Sequence, residues 1–305
     1  VTSEDNIHTL QTPNSITSQL IHQNSSMRKK HGWSLSLNED KTQRFSSSTD
    51  LNNTLQDNTW MSNVYELKLD NLRIKHIHGL SRLVNLRFLE LNNNEIVRME
   101  GLDKLNKLTT LKLEENRIMK IENIENLLML RKLDIGKNKL TKIENISTLV
   151  NLTQLSVENN EITTLHGIQP LVSLMELYVG SNKLESKKEI NTLKELYKLI
   201  ILDLTGNEVG KQMDYRLFTI FNLKKLKVLD GISIDPREVE KAKDAFLGKI
   251  SMELLTEKLG HTNLKSVVEL NLSNCGLKEI SHIDSLQNLR ELKLENNNLQ
   301  DIHGI

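Results

Sequence analysis

Residues 86–105 read LRFLELNNNEIVRMEGLDKL, and residues 108–127 read LTTLKLEENRIMKIENIENL. Both stretches carry the spacing L-x-x-L-x-L-x-x-N-x-I, followed by an apolar residue at every third position. Units with this spacing start at positions 64, 86, 108, 130, 152 and 174, so the same interval recurs five times in succession. A chance pattern does not keep phase over five intervals, so we predict a stacked array of structural repeats.

The physical role of each repeated letter predicts the local structure. The Leu residues of L-x-L point inward from a short strand, and the residues beside them point outward. The Asn lies in the following turn, where its amide can bond the backbone of neighbouring turns as an asparagine ladder. The remaining apolar residues return the chain along the convex side as 3₁₀ or short helical turns. We expect parallel pairing of strands at 67–69, 89–91, 111–113, 133–135, 155–157 and 177–179.

Composition supports a repeat protein and disfavours several other classes. The 305 residues include 54 Leu and 33 Asn, but only 4% are aromatic. Forty Lys and Arg balance 40 Asp and Glu, which argues against a protein that coats nucleic acid or anionic lipid. The single Cys, Cys275, permits no intrachain disulfide and favours a reducing compartment. No apolar run is long enough for a membrane span, so we expect no membrane insertion.

The first three-quarters of the chain divide into a tail and an array. Residues 1–60 are rich in Ser, Thr, Asn and Gln, and we predict that they form a disordered polar tail. Residues 61–231 form the first array. We expect it to end in a cap in which Tyr215 and two Phe cover the last layer of Leu, before the sequence Leu226-Lys227-Val228-Leu229-Asp230.

The remaining residues contain a linker and a second array. Residues 232–262 form a helical linker, in which Asp235-Pro236-Arg237-Glu238 has the residue order of a helix start. Residues 263–305 return to the spacing of the first array and begin a second one, with Cys275 at the Asn position. The sequence stops inside a repeat, so we expect a longer protein.

The repeat spacing resembles that of the 22-residue leucine-rich repeats in the phosphatase-1 regulatory subunit and in many ciliary proteins. That resemblance implies an α/β fold, a right-handed solenoid with a parallel concave sheet. The cap, the linker and the segment Leu259-Gly260-His261-Thr262-Asn263 together resemble the family of leucine-rich repeat-containing protein 9. This second resemblance implies several arrays in one chain and a location in the cytoplasm, with the cilium, the axoneme or the centrosome as the expected site.

Candidate catalytic and metal-binding residues are scarce. His78, His166 and His303 each precede a Gly at the same repeat register, but neighbouring copies are too far apart to share a metal ion. Cys275 occupies a structural position rather than that of a reactive thiol. The sequence has no phosphate-binding loop, dinucleotide fingerprint, nucleophile elbow or paired-cysteine metal motif. We therefore predict no catalytic site, no cofactor and no metal, and expect a protein that is not an enzyme.

The outward strand positions are the expected protein-binding surface. One such position carries alternating charges on successive strands, which suit cross-strand ion pairs. Large apolar residues lie near both ends of the array, and aromatic or Met anchors beside charges are typical of protein interfaces. The predicted binding residues are Tyr65, Phe88, Glu90, Lys112, Asp134, Met175, Tyr178, Ile201 and Asp203.

Three functions remain open from the sequence. The first is a scaffold that binds a protein partner on the concave face, without nucleic acid. The second is a regulatory subunit that docks a serine/threonine phosphatase; Lys41-Thr42-Gln43-Arg44-Phe45 ends like a docking motif but lacks its Val or Ile. The third is an enzyme whose catalytic domain lies outside this sequence.

Overall fold

The computed structural model describes residues 16–29, 32–36, 58–280 and 283–300. Within them, eleven strands form one sheet and two more form a second. The strands are β1 Ser25–Lys29, β2 Gly32–Ser36, β3 Val64–Lys68, β4 Phe88–Glu90, β5 Thr110–Lys112, β6 Lys132–Asp134, β7 Gln154–Ser156, β8 Glu176–Tyr178, β9 Ile201–Asp203, β10 Val228–Leu229, β11 Ile232–Ser233, β12 Glu269–Asn271 and β13 Glu291–Lys293.

The predicted parallel array is confirmed in strands β3 to β9. Leu67 pairs with Leu89, Leu89 pairs with Leu111, and the same register continues from strand to strand up to Leu177. Leu177 then pairs with Leu202, across the longer repeat. The inward Leu of these strands are almost completely buried, whereas the residues beside them are exposed or half-buried, apart from the buried Ser156. Each strand therefore contributes one layer of a continuous solenoid core.

The convex side consists mainly of turns. Leu83 N donates to Leu80 O at 2.9 Å and Leu86 N to Leu83 O at 2.9 Å, which is the i to i+3 bonding of 3₁₀ turns. A short helix, α2 Lys188–Asn191, lies within the longer repeat, where the additional residues fall. A 3₁₀ helix at Glu208–Lys211 follows in the next repeat.

The predicted asparagine ladder is also confirmed. Asn94, Asn116, Asn138, Asn160, Asn182 and Asn207 are all buried polar residues. In Asn116, the side-chain amide donates to Leu91 O of the preceding turn at 2.9 Å and to Leu113 O of its own turn at 3.1 Å. Its Oδ1 accepts from Ile96 N at 3.1 Å. Each ladder residue thus joins two successive turns.

The N-terminal edge of the sheet contains a short helix and two further strands. Helix α1, Ser18–Gln23, precedes strands β1 and β2. Strand β1 pairs antiparallel with β2 on one side and with β3 of the first repeat on the other. These elements lie within residues 1–60, and the disorder of that stretch as a whole stays a prediction. The motif at 41–45 and the rest of the tail before residue 58 lie outside the described residues.

Two compact units divide the chain. The first comprises Val1–Tyr215 and Lys225–Ser233, and the second Arg216–Lys224 and Ile234–Ile305. In the first unit, β10 pairs in parallel with β9 and antiparallel with β11. The hydroxyl of Tyr215 donates to Asp230 Oδ2 at 3.0 Å, and Asp230 Oδ1 accepts from Leu204 N at 2.8 Å. These bonds fix the chain at the last turn of the first array.

The second unit contains most of helix α3, Tyr215–Asn222, together with α4, Pro236–Phe246, and α5, Met252–Leu259. The predicted helix start is confirmed, because Asp235 and Glu238 form a reciprocal capping box with Pro236 in the first turn. Two Phe of α3, Phe218 and Phe221, contact Phe246 of α4. We predicted residues 216–224 as part of the cap of the first array. Because of these contacts, they belong to the second unit instead.

The second array repeats the geometry of the first. Strands β12 and β13 pair in parallel, with Leu270 opposite Leu292. The oxygen of the Asn297 side chain accepts from Cys275 N and Leu277 N, both at 3.0 Å. A small core with Ile250, Leu255 and Leu270 forms beneath this sheet.

Candidate protein-binding surface

Strands β3 to β9 present their outward residues on one concave face. All of the predicted binding residues except Met175 lie within these strands, and Met175 immediately precedes β8. Met175 is 39% exposed, while the other eight are half-buried. The structure thus places eight of the nine residues in successive strands of one sheet, and their role in binding a partner stays a prediction.

The clearest cluster on this face surrounds Phe88. The Nζ atoms of Lys68 and Lys112 lie 5.6 Å and 5.5 Å from the centroid of its ring, one from each neighbouring strand. Both lysines also pair with Glu90, at 3.9 Å and 3.0 Å respectively. The ring is thus held between two cations, in the geometry of a cation–π interaction.

Tyr65 and Arg87 form a second aromatic contact beside this cluster. The guanidinium carbon of Arg87 lies 5.9 Å from the centroid of the Tyr65 ring. The two residues belong to successive repeats. This end of the concave face therefore combines aromatic rings with long cationic side chains, which suits contact with a partner.

The predicted ion pairs between successive strands form from β3 to β5 and do not include β6. Asp134 forms no ion pair within the described residues; its carboxylate accepts from Gly136 N at 3.1 Å and bonds the side chain of Ser156. Burial raises the pKa of Asp134, and the nearby Glu114 carboxylate raises it further. The alternation of charge seen in the sequence therefore yields paired charges at Lys68, Glu90 and Lys112 only.

Four carboxylates gather on the part of the face that runs from the end of β5 to β9. Burial is the largest cause of a raised pKa at Glu158, and the carboxylates of Asp203, Asp134 and Glu114 add to it. A side chain at Gly136 would approach Asp134 Oδ1 to 3.3 Å, and one at Gly180 would approach Glu158 Oε1 to 3.4 Å. The two glycines thus leave room for the carboxylates of Asp134 and Glu158.

Tyr178 and Ile201 provide the apolar surface at this end. The Tyr178 hydroxyl donates to Glu176 Oε2 at 3.1 Å. Burial raises the pKa of Tyr178, followed by the hydrogen bond and the charge of Glu176. Asp203 is held by its acceptor bond to Thr205 N at 2.8 Å. The face therefore has two aromatic sites, Phe88 among cations and Tyr178 among carboxylates.

Sequence reasoning missed two features of the surface. Glu114 and Glu158 lie at the next outward position after the charge ladder and make that half acidic. Apolar residues at a different register, Leu128, Val150, Val172 and Tyr197, are exposed along the edge of the array. The sequence contains both patterns, since the acidic residues and the exposed apolar residues each recur at a fixed distance from the repeat starts.

The described residues contain no group of three or more His, Cys, Asp or Glu placed to hold a metal ion. His78 Nδ1 lies 3.3 Å from His76 O, His166 is exposed, and His303 lies outside the described residues. The Cys275 thiol is half-buried and donates weakly to Ser273 O at 3.6 Å. None of the described helices combines the length and apolarity needed to cross a bilayer.

Comparison with protein families agrees with the repeat geometry. A family model described as leucine-rich repeat matches residues 120–259. The chain is also 40% identical over 65 residues to U2 small nuclear ribonucleoprotein A' of Arabidopsis thaliana. That match covers 21% of this chain and 26% of the relative, so the chain spans about a quarter of the length of the curated relative it matches.

Solved structures with detectable similarity include two bacterial proteins. Internalin C2 of Listeria monocytogenes is 25% identical, with a TM-score of 0.43, and the match covers 55% of this chain and 81% of the internalin. A leucine-rich repeat protein of Leptospira interrogans is 22% identical, with a TM-score of 0.45, and the match covers 79% of this chain and 80% of that one.

Proposed function

We propose that the chain is a non-enzymatic scaffold that binds a protein partner on the concave face of its first array. Leucine-rich repeats generally mediate protein–protein interactions, because a curved parallel sheet offers an extended concavity. The observation that supports the proposal best is the pair of half-buried aromatic residues, Phe88 and Tyr178, on a face whose other outward residues are mostly charged or polar. Neither side chain is needed to fill the core, whose inward positions are occupied by Leu.

Charge is proposed to orient the partner. The Phe88 end combines the cations Lys68, Lys112 and Arg87 with the carboxylates of Glu90, Asp70 and Glu66. The Tyr178 end carries the acidic residues Glu158 and Asp203. A partner with an uneven charge distribution will dock in one direction along the array, and the charges will chiefly affect the association rate.

The aromatic residues are expected to supply most of the binding energy. Phe88→Ala and Tyr178→Ala should each weaken partner binding by about 2 kcal/mol, roughly 30-fold in Kd, with little change in thermal stability. The matched control is Met119→Ala, which truncates a side chain that is 57% exposed outside the strands. Isothermal titration calorimetry with the recovered partner measures all three.

Before these measurements, the partner is recovered by affinity pull-down from ciliated cells. If Phe88→Ala and Tyr178→Ala bind that partner as the unmodified chain does, the concave-face proposal is wrong. In that case helices α4 and α5 become the next surface to test.

The location and partner class are part of the proposal. The resemblance to ciliary leucine-rich repeat proteins supports a cytoplasmic protein of the cilium, the axoneme or the centrosome. The alternative, a regulatory subunit that docks a serine/threonine phosphatase, is supported by the shared 22-residue repeat. A phosphatase as the main protein in the pull-down would favour that alternative.

The similarity to a ribonucleoprotein component suggests one further arm of the experiment. The matched relative is named for its place in the U2 small nuclear ribonucleoprotein. We propose that the partner of this chain is protein, so its recovery should survive ribonuclease treatment of the extract. Loss of the partner after that treatment would favour association with a ribonucleoprotein instead.

A further inference from the structure

Three oxygen atoms converge over Gly180, just after strand β8. A Cβ atom at this glycine would lie 3.2 Å from Thr205 O, 3.4 Å from Glu158 Oε1 and 3.6 Å from Asp203 Oδ1. These acceptors come from the repeats on either side, and the glycine keeps the space between them open. We call this place, with the glycine and the three residues around it, the Gly180 site.

The carboxylates of the Gly180 site have no cation from the chain beside them. Within the described ranges, neither Glu158 nor Asp203 forms an ion pair, and Asp203 instead accepts from Thr205 N at 2.8 Å. Lys132 is the cation at the outward positions of β6 to β9, and β7 separates its strand from β8. In that part of the chain, both negative charges therefore lack a compensating positive charge.

An equivalent arrangement two repeats earlier does contain a cation. Glu114 and Gly136 there repeat the carboxylate and the glycine at the same registers. The residue after Gly136 is Lys137, whose Nζ lies 3.0 Å from Glu114 Oε1. At the Gly180 site the equivalent residue is Ser181, which carries no charge. The carboxylate at this register thus binds a cation where the chain supplies one, and at the Gly180 site a partner can supply it.

The side chain of Tyr178 borders the Gly180 site. Tyr178 pairs with Asp203 across β8 and β9, and it is half-buried. Burial raises its pKa most, followed by Glu176 and then by the charges of Glu158 and Asp203, which therefore act close to the hydroxyl. An aromatic ring beside carboxylates favours a cation, as the two lysines at the Phe88 ring show on the same face.

We propose that an arginine of the protein partner docks at the Gly180 site, with its guanidinium bonded to Glu158 and Asp203 and its plane against the Tyr178 ring. A guanidinium presents several donors in a flat fork, which suits two carboxylates and a carbonyl on neighbouring strands, and it stacks on aromatic rings. The ammonium of lysine is a compact charge that does not stack in this way. The inference rests on the proposed function, since it names the side chain that the partner presents to the concave face.

The test uses the chain of residues 1–305 and a displayed library of short random peptides as the probe. Peptides are selected on the unmodified chain and counter-selected on Tyr178→Ala. Fluorescence anisotropy then compares each selected peptide on the unmodified chain and on the charge variant Glu158→Gln with Asp203→Asn, whose side chains keep their shape and an acceptor oxygen. Glu161→Gln with Glu185→Gln is the matched control, because it removes two exposed carboxylates beyond the asparagine ladder.

The selected peptides should be enriched in arginine. They should bind the charge variant at least about tenfold more weakly than the unmodified chain, and the control variant as tightly as the unmodified chain. Replacing the arginine by citrulline, its neutral analogue, should cause a similar loss. If peptides that prefer the unmodified chain over Tyr178→Ala lack arginine, or bind the charge variant equally well, this inference fails and the concave-face proposal stands. If no peptide prefers the unmodified chain over Tyr178→Ala, this inference fails together with the Tyr178 part of the proposed function.

Discussion

Asn116 illustrates how single side chains hold the solenoid together. Its amide group bonds four backbone groups from two turns, Leu91 O, Leu113 O, Glu114 O and Ile96 N. The bonds to Leu91, Leu113 and Ile96 are buried, so water cannot replace the side chain as their partner. Removing the side chain would leave these buried polar groups unpaired. That costs more free energy than the hydrogen bonds contribute in net terms.

Replacing this residue should measure that cost. Asn116→Ala is expected to lower the free energy of unfolding by about 1–3 kcal/mol, because it strands buried donors and acceptors. Asn106→Ala is the matched control, since Asn106 is exposed and lies outside the ladder. Urea denaturation followed by circular dichroism reports both variants. If both variants have the same free energy of unfolding, the hydrogen bonds of Asn116 do not stabilise the array.

Glu238 makes the second unit sensitive to acid. Arg216 Nε donates to Glu238 Oε1 at 2.7 Å and Arg216 Nη2 to Glu238 Oε2 at 2.9 Å, a bidentate pair. This pair lowers the pKa of Glu238 to about 2 from its ordinary 4.5. Because the folded pKa is below the unfolded one, the stabilisation is complete above the unfolded pKa and is lost as the pH falls toward the folded one.

The pH dependence can be isolated by substitution. Glu238→Gln should be less stable than the unmodified chain at neutral pH, and the difference should shrink between about pH 5 and pH 2. Glu240→Gln removes an exposed carboxylate of the same helix, paired with Lys243 at 2.8 Å, and should leave the acid-dependent loss intact. Denaturant titrations at several pH values follow the difference. A difference independent of pH would show that the Arg216 pair does not act through ionisation.

At the scale of elements, the parallel strands could be predicted and the N-terminal hairpin could not. The strands from β3 to β9 follow from inward Leu at fixed spacing, because the same layer recurs in every repeat. Strands β1 and β2 are short and mostly polar, and only Met27, Trp33 and Leu35 are large and apolar. Strand β1 pairs with β3, a contact distant in sequence that no local pattern shows, and β2 pairs with β1.

The hairpin pairing can be broken at one residue. Ser26 pairs with Ser36 on one side and with Glu66 on the other, so it lies inside the sheet. Ser26→Pro removes a backbone donor and should increase hydrogen exchange of β3 amides, with little effect at β6. Ser26→Thr keeps the donor and favours a strand, so its exchange should match the unmodified chain. Unchanged exchange at β3 in the proline variant would contradict the pairing.

At the scale of the whole molecule, the core and the binding surfaces follow different rules. Inward positions are restricted to Leu, Ile and a few equivalents because every turn must pack on the next. Outward positions are free of that restriction, so the residues found there reflect binding by the surface rather than the requirements of folding. The sequence predicted the aromatic residues of the concave face for this reason. It missed the exposed apolar residues Leu128, Val150, Val172 and Tyr197, although they recur at a fixed distance before each repeat start, because the spacing alone does not tell whether a side chain there is exposed.

Because each repeat contacts only its neighbours, the two aromatic sites of the concave face should act separately. Phe88 belongs to β4 and Tyr178 to β8, four strand spacings apart, so the two are about 19 Å apart. Phe88 contacts Lys68 and Lys112, whereas the Tyr178 hydroxyl donates to Glu176, so they share none of these partners. The losses in binding from Phe88→Ala and Tyr178→Ala should therefore add in the double variant within about 0.5 kcal/mol, roughly twofold in Kd. Isothermal titration calorimetry with the recovered partner measures the double variant against both single variants. A double variant that binds no more weakly than one of the single variants would mean that the partner uses only one of the two sites.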